Sequence, residues 1–123
     1  MENKILLIGG NGYIGCSLYE YLIDLGFQVT NVDVCWYGKV FPETVVADYR
    51  SLPIDFIQEF SHIILLAGHA SPAIAGDESL MPCFKNNVQN FVGLVEKMSD
   101  DQTLIYASTA AITNSPGDEQ IDE

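Results

Sequence analysis

A chain of 123 residues that is 48% hydrophobic and 11% aromatic holds enough apolar side chains for one folded domain with a modest core, which excludes a disordered chain. Its 17 acidic residues against 5 basic ones give a net charge of −12, which argues against nucleic-acid and anionic-membrane partners, since both need a basic face. No apolar run approaches the roughly 20 residues of a membrane span, and Met1-Glu2-Asn3-Lys4 does not open a secretory signal.

The first element is a strand over Lys4–Ile8, continuously apolar from Ile5, as a central parallel strand covered on both faces would be. It runs into glycines spaced Gly9-x-x-Gly12-x-x-Gly15, and a helix is expected over Gly12–Leu25 with Ile14, Leu18, Tyr21, Leu22 and Leu25 on its apolar face. This is the arrangement in which a βα unit holds a dinucleotide pyrophosphate. Glycines allow the tight turn and a close approach to phosphate, and the following helix aims its N-terminal N–H groups and positive dipole end at the anion. A glycine triplet alone is also compatible with a βα turn that binds nothing.

A second strand over Gln28–Val32 leads to Asp33, which lies 18 positions beyond Gly15. That is near the spacing of roughly 20 at which an acid accepts hydrogen bonds from the adenosine ribose hydroxyls. The alternative for Asp33 is an ordinary strand-end acid capping a turn. Further strands are expected over Thr44–Ala47, His62–Leu66 and Thr103–Ala107, with helices over Pro53–Phe60 and within Ser79–Ser99. Val88, Phe91, Val92, Val95 and Met98 form a stripe on the last helix that reads as core. Right-handed crossovers then give an α/β fold: a Rossmann-like three-layer domain spanning 1–123, with a five-stranded parallel sheet of order 3-2-1-4-5. Ligand is expected at the switch point between the first and fourth strands, over the Gly9 loop and the segment after Leu66. Pro116-Gly117 marks a turn, and 114–123 is expected to be a flexible acidic tail.

Cys16, Cys35 and Cys83 are odd in number and lack metal-ligand spacing, so they read as reduced thiols of a cytoplasmic protein. Cys16 follows Gly15 at a helix start, where a thiol pKa can fall; the alternative is a small residue packed beneath the loop. His62 and His69 have no acid or cysteine cluster around them, and no metal site is expected.

Taken together, these segments resemble the extended short-chain dehydrogenase/reductase family, in particular NAD-dependent nucleotide-sugar epimerases and dehydratases. Gly9-Gly10-Asn11-Gly12-Tyr13-Ile14-Gly15 matches that family's GGxGxIG loop, and Asp33 matches the acid closing its second strand. Asp48, beside Tyr49, resembles the family's aspartate that contacts the adenine amino group. Leu65-Leu66-Ala67-Gly68-His69 resembles the HLAA segment lining the cofactor, Asn87-Val88 the NV pair of the long helix, and Tyr106-Ala107-Ser108-Thr109-Ala110 the SS(S/T) segment after the fifth strand. The resemblance implies cofactor contacts from Gly9, Gly12, Tyr13, Ile14, Gly15, Asp33, Asp48, Tyr49, Leu66, Ala67, Gly68, Asn87 and Ser108. It places Thr109 at the position whose hydroxyl bonds the reacting group. NAD is favoured over NADP, because Asp33 repels a 2′-phosphate and the first basic residue after it is Lys39.

The family's chemistry needs a YxxxK motif in which Tyr is the general acid/base. Here Tyr13, Tyr19, Tyr21, Tyr37, Tyr49 and Tyr106 are followed at that spacing by Ser17, Ile23, Leu25, Phe41, Pro53 and Ala110. The chain also has Ile112-Thr113-Asn114 where the family usually shows VYG. It is therefore expected to be the front, NAD-binding portion of such a protein, inactive alone. The alternatives are half of a split epimerase completed by a partner chain that brings the nucleotide-sugar lobe, or a non-enzymatic, self-associating module. The fifth strand would stand as an open edge, from which a homodimer or swapped assembly is expected.

Overall fold

A computed structural model describes residues 3–36, 38, 41–67 and 85–107. Five strands make one parallel sheet: β1 (Lys4–Ile8), β2 (Gln28–Asp33), β3 (Val45–Val46), β4 (His62–Leu65) and β5 (Thr103–Tyr106), in the order β3-β2-β1-β4-β5. β1 is central, with Ile8 opposite Val32 on one side and Leu65 on the other. Its residues Ile5 to Ile8 are all buried, which accounts for their continuous apolarity.

Helices cover both faces of the sheet. Leu6, Ile8, Val32, Ile63 and Leu65 pack against Ile57 of α2 (Ile54–Ile57) and Leu94 of α3 (Asn90–Lys97), together with Tyr49, Leu52 and Phe60. On the opposite face Ile5, Leu7 and Ile64 meet Tyr19 and Leu22 of α1 (Tyr13–Asp24). Full burial of each such aliphatic side chain contributes about 1.5–3 kcal/mol.

The elements form where the periodicity places them, but several are shorter. One turn of 3₁₀ helix at Tyr49–Ser51, outside the expected elements, precedes α2, the single α turn to which the expected helix over Pro53–Phe60 shortens. Asp48 starts the first of these by accepting the Arg50 N–H at 3.1 Å. α3 is preceded by a π-helical stretch over Lys85–Gln89, and the part of the expected helix before 85 lies outside the described residues. α1 ends in a Schellman turn, with Phe27 N–H on the Leu22 carbonyl, Gly26 N–H on the Ile23 carbonyl, and Gly26 at φ +90°.

Two expected apolar faces are corrected. On α1 the core side is Gly15, Tyr19 and Leu22, whereas Ile14, Tyr21 and Leu25 are 62%, 61% and 56% exposed. The glycine turn fixes the rotational phase of the helix: Gly15 lies against Gly9, so positions four and seven residues later face inward. On α3 and the residues flanking it the inward line is Phe91, Leu94 and Met98, while Val88, Val92 and Val95 are exposed.

Polar side chains close the loops around this core. The Lys97 ammonium donates to the Arg50 and Leu52 carbonyls at 2.9 and 3.0 Å. The Gln102 amide donates to the Ile57 and Phe60 carbonyls, both at 2.7 Å, and accepts the Ser99 N–H. No helix of the described residues is long and apolar enough to cross a membrane. The tail 114–123 lies outside the described residues.

Candidate dinucleotide site

The site forms where β1 ends, at the point where the strand order reverses. Gly9 N–H donates to the Val32 carbonyl and Leu66 N–H to the Ile8 carbonyl, both at 2.8 Å, so the chain leaves β1 pinned to its neighbours on each side. Gly9 then turns at φ +95°, a left-handed conformation costly for any residue with a Cβ. A Cβ there would also lie 2.8 Å from the Ala67 nitrogen, so the turn runs directly against the segment after β4. This brings Gly9, Leu66 and Ala67 together as the sequence implies. Leu66 and Ala67 are half-buried and pack against opposite core faces.

Gly12 N–H donates to the Gly9 carbonyl at 3.2 Å and Cys16 N–H to the Gly12 carbonyl at 3.0 Å, which starts α1. A Cβ on Gly15 would overlap the Gly9 carbonyl oxygen and approach the Gly10 Cα at 2.7 Å. The helix is thereby drawn onto the turn. Its N-cap, Gly12, supplies no side-chain bond and its first turn holds no acid, so neither caps the N–H groups of that turn. Tyr13 stands 98% exposed at this mouth, with Ile14 beside it. A glycine turn packed this closely on its own backbone, next to an uncapped helix N-terminus, fits a pyrophosphate.

Asp33 ends β2 beside this turn. Its Oδ2 accepts the Asn11 N–H at 2.9 Å and its Oδ1 the Cys35 N–H at 2.7 Å. The carboxylate is therefore a turn cap, and each oxygen keeps a second lone pair for a further donor. Cys35 takes φ +63° in that turn. Asp48 follows β3, N-caps the 3₁₀ turn and pairs with the Arg50 guanidinium at 2.9 Å. Tyr49 sits differently from its neighbour: its ring is 5% exposed within the core, and burial pushes its phenol up to about 12, with the Asp48 carboxylate and Tyr106 adding to the rise and Arg50 opposing it. Asn87 is half-buried in the π-helical stretch before α3. Gly68, Ser108 and Thr109 lie outside the described residues.

Beneath the turn lies a polar cluster that the reading of the sequence missed. Asn31 is 3% exposed, with its Oδ1 accepting the Gly10 N–H at 2.9 Å. Its Nδ2 donates to Asn11 Oδ1 at 3.2 Å and to Thr44 Oγ1 at 3.0 Å. The available signal was an asparagine flanked by β-branched Val29, Thr30 and Val32 inside a strand, where that residue is depleted.

Comparison with known proteins bears on this arrangement. The NAD dependent epimerase/dehydratase family model matches residues 5–123. The chain belongs to that family. No curated protein matches it. Among solved structures, UDP-glucose 4-epimerase from Stenotrophomonas maltophila with bound NAD and formylated UDP-arabinopyranose superposes with a TM-score of 0.81 at 23% identity, over 94% of this chain and 40% of that one. UDP-glucose 4-epimerase from Thermus thermophilus in complex with NAD gives 0.75 at 26% identity, over 98% and 42%. An NAD-dependent NDP-hexosamine 5,6-dehydratase of tunicamycin biosynthesis gives 0.78 at 20% identity, over 98% and 44%. The chain thus spans about two fifths of the length of these structures.

Proposed function

We propose that this chain binds NAD across the β1/β4 switch point, as the N-terminal portion of a nucleotide-sugar epimerase- or dehydratase-like protein. The observation that carries this reading is the joint placement of the Gly9–Gly15 turn, the uncapped start of α1 and Asp33. The turn and Asp33 share the Asn11 backbone, whose N–H reaches the carboxylate at 2.9 Å. Pyrophosphate lies on the N–H groups of Tyr13, Ile14 and Gly15 and the ribose hydroxyls on Asp33. Asp48 and the backbone of Tyr49 line the adenine side, and Leu66, Ala67 and Asn87 line the nicotinamide side. NAD, when bound, supplies a hydride acceptor. Family membership and the NAD-bound structural relatives support this reading.

NAD is preferred over NADP, because a 2′-phosphate at Asp33 meets a carboxylate whose oxygens already anchor the turn, and the first base after it in sequence is Lys39. These 123 residues contain no Tyr with Lys four positions on, so by themselves they bind cofactor without turning over a sugar nucleotide. Thr109 carries the hydroxyl of the reacting site only together with a Tyr–Lys pair, which these residues do not contain. β5 is the outermost strand among the described residues, with Ile105 and Tyr106 each 49% exposed, which favours pairing with a second copy or with later strands. Calorimetric titration tests the cofactor reading: NAD binds in a 1:1 ratio and more tightly than NADP. No heat and no thermal shift at millimolar NAD would refute it.

A further inference from the structure

We propose that Asn31 is a positioning residue of the dinucleotide site, setting the glycine turn and the Asp33 carboxylate in one geometry and thereby sharpening the choice of NAD over NADP. This rests on the NAD reading above and assigns a role to residues outside the expected binding set.

Asn31 lies opposite Leu7 in the β1–β2 register and points to the α1 face of the sheet, in a layer otherwise filled by Leu7, Tyr19 and Leu22. An apolar side chain would pack there, so the amide is explained by what it bonds. A Cβ on Gly10 would collide with the Asn31 carboxamide, so that glycine and the asparagine are matched. Asn31 Oδ1 turns the Gly10 N–H inward, away from the ligand. Both hydrogens of its Nδ2 are used, one on Asn11 Oδ1 and one on Thr44 Oγ1. The Thr44 hydroxyl also reaches Asn11 Oδ1 at 3.4 Å, and Asn11 Nδ2 donates to the Cys35 sulfur at 3.3 Å. Asn11, Asn31 and Thr44 are 6%, 3% and 6% exposed, and among the described residues no buried side-chain nitrogen or oxygen lacks a partner.

The consequence runs through the Asn11 backbone. Its N–H donates to Asp33 Oδ2, so whatever fixes Asn11 fixes that carboxylate. Asn31 and Thr44 hold the Asn11 side chain from below and thus hold the acid in position. Released from them, Asp33 keeps only the Cys35 N–H and is free to rotate away from the ribose. Affinity for NAD then falls, and repulsion of a 2′-phosphate falls with it.

The test uses Asn31→Leu, which keeps the branched shape and heavy-atom count of the side chain without its polar atoms, and Thr44→Val, which removes one hydroxyl from the same cluster. Each is titrated with NAD and NADP, and the exchange of the Gly10 and Asn11 amides is followed by NMR without ligand. Asn31→Leu is expected to weaken NAD by about tenfold, as one lost hydrogen bond's worth of loop order would. NADP weakens less, so the affinity ratio narrows, and Gly10 and Asn11 lose protection. Thr44→Val shifts the ratio and the Asn11 amide in the same direction by less, and decides the matter if Asn31→Leu does not fold. A merely structural role lowers the melting temperature and leaves the ratio unchanged; a folded variant behaving so overturns the proposal while the NAD reading stands. A wild-type chain that binds no NAD removes the reading itself.

Discussion

Gly9 and Gly15 are glycine for different reasons, and the difference sets what their substitution does. Gly9 combines a positive φ with a backbone neighbour 2.8 Å from where its Cβ would be, so neither rotation nor side-chain adjustment relieves Gly9→Ala. That change is expected to destabilise the chain by about 1–3 kcal/mol, measured by urea unfolding, and to abolish NAD binding. Gly15 meets only the space constraint, against the Gly9 carbonyl and Gly10. Gly15→Ala should therefore push α1 off the turn and weaken NAD more than it destabilises the fold; equal loss in the two would contradict this. Asp33 carries two backbone N–H groups besides its expected ribose contact. Asp33→Ala is thus expected to lower stability by about 1–3 kcal/mol even without cofactor, since the Asn11 and Cys35 amides lose their acceptor.

At the scale of elements, the loops are held by side chains that reach across the core. Gln102 satisfies the Ile57 and Phe60 carbonyls at the end of α2, so Gln102→Ala should cost about 1–3 kcal/mol in chemical denaturation. Tyr49 supplies a pH dependence. Its folded pKa is raised from 10.0 to about 12, so the unfolded chain ionises first as pH rises. The stability tied to its neutral form is complete below pH 10.0 and is lost towards pH 12, by up to about 1.4 kcal/mol per pH unit. Tyr19 adds a loss of the same sign, its phenol also raised by burial and by Glu43. Tyr49→Phe should flatten the Tyr49 part of the alkaline slope; an unchanged slope would contradict the assignment. The strands, their order and the glycine turn were legible because continuous apolar runs and glycine spacing are local signals. The inward faces of α1 and α3 were not: each offers two adjacent apolar lines, and only contact with the Gly9 turn or with Tyr49–Ser51 selects one. The cluster of Asn11, Asn31 and Thr44 was hidden for a similar reason, since its members are 20 and 13 positions apart and meet only in the fold.

Over the whole molecule, a net charge of −12 is compatible with the proposed anionic ligand, because backbone N–H groups and a helix end can receive phosphate without basic side chains. NAD affinity should accordingly depend only weakly on salt compared with a site built on lysine and arginine. The sheet order β3-β2-β1-β4-β5 puts the turn, Asp33 and Ala67 at one end of the strands, within the span of the single extended ligand proposed above. The most direct test is a titration of the isotopically labelled chain with NAD, followed amide by amide. The account predicts saturable shifts concentrated at Gly9, Gly12, Tyr13, Ile14, Gly15, Asp33 and Ala67, with the outward face of α3 at Val92 and Val95 unmoved. Shifts confined to other surfaces, or none at millimolar NAD, would contradict it.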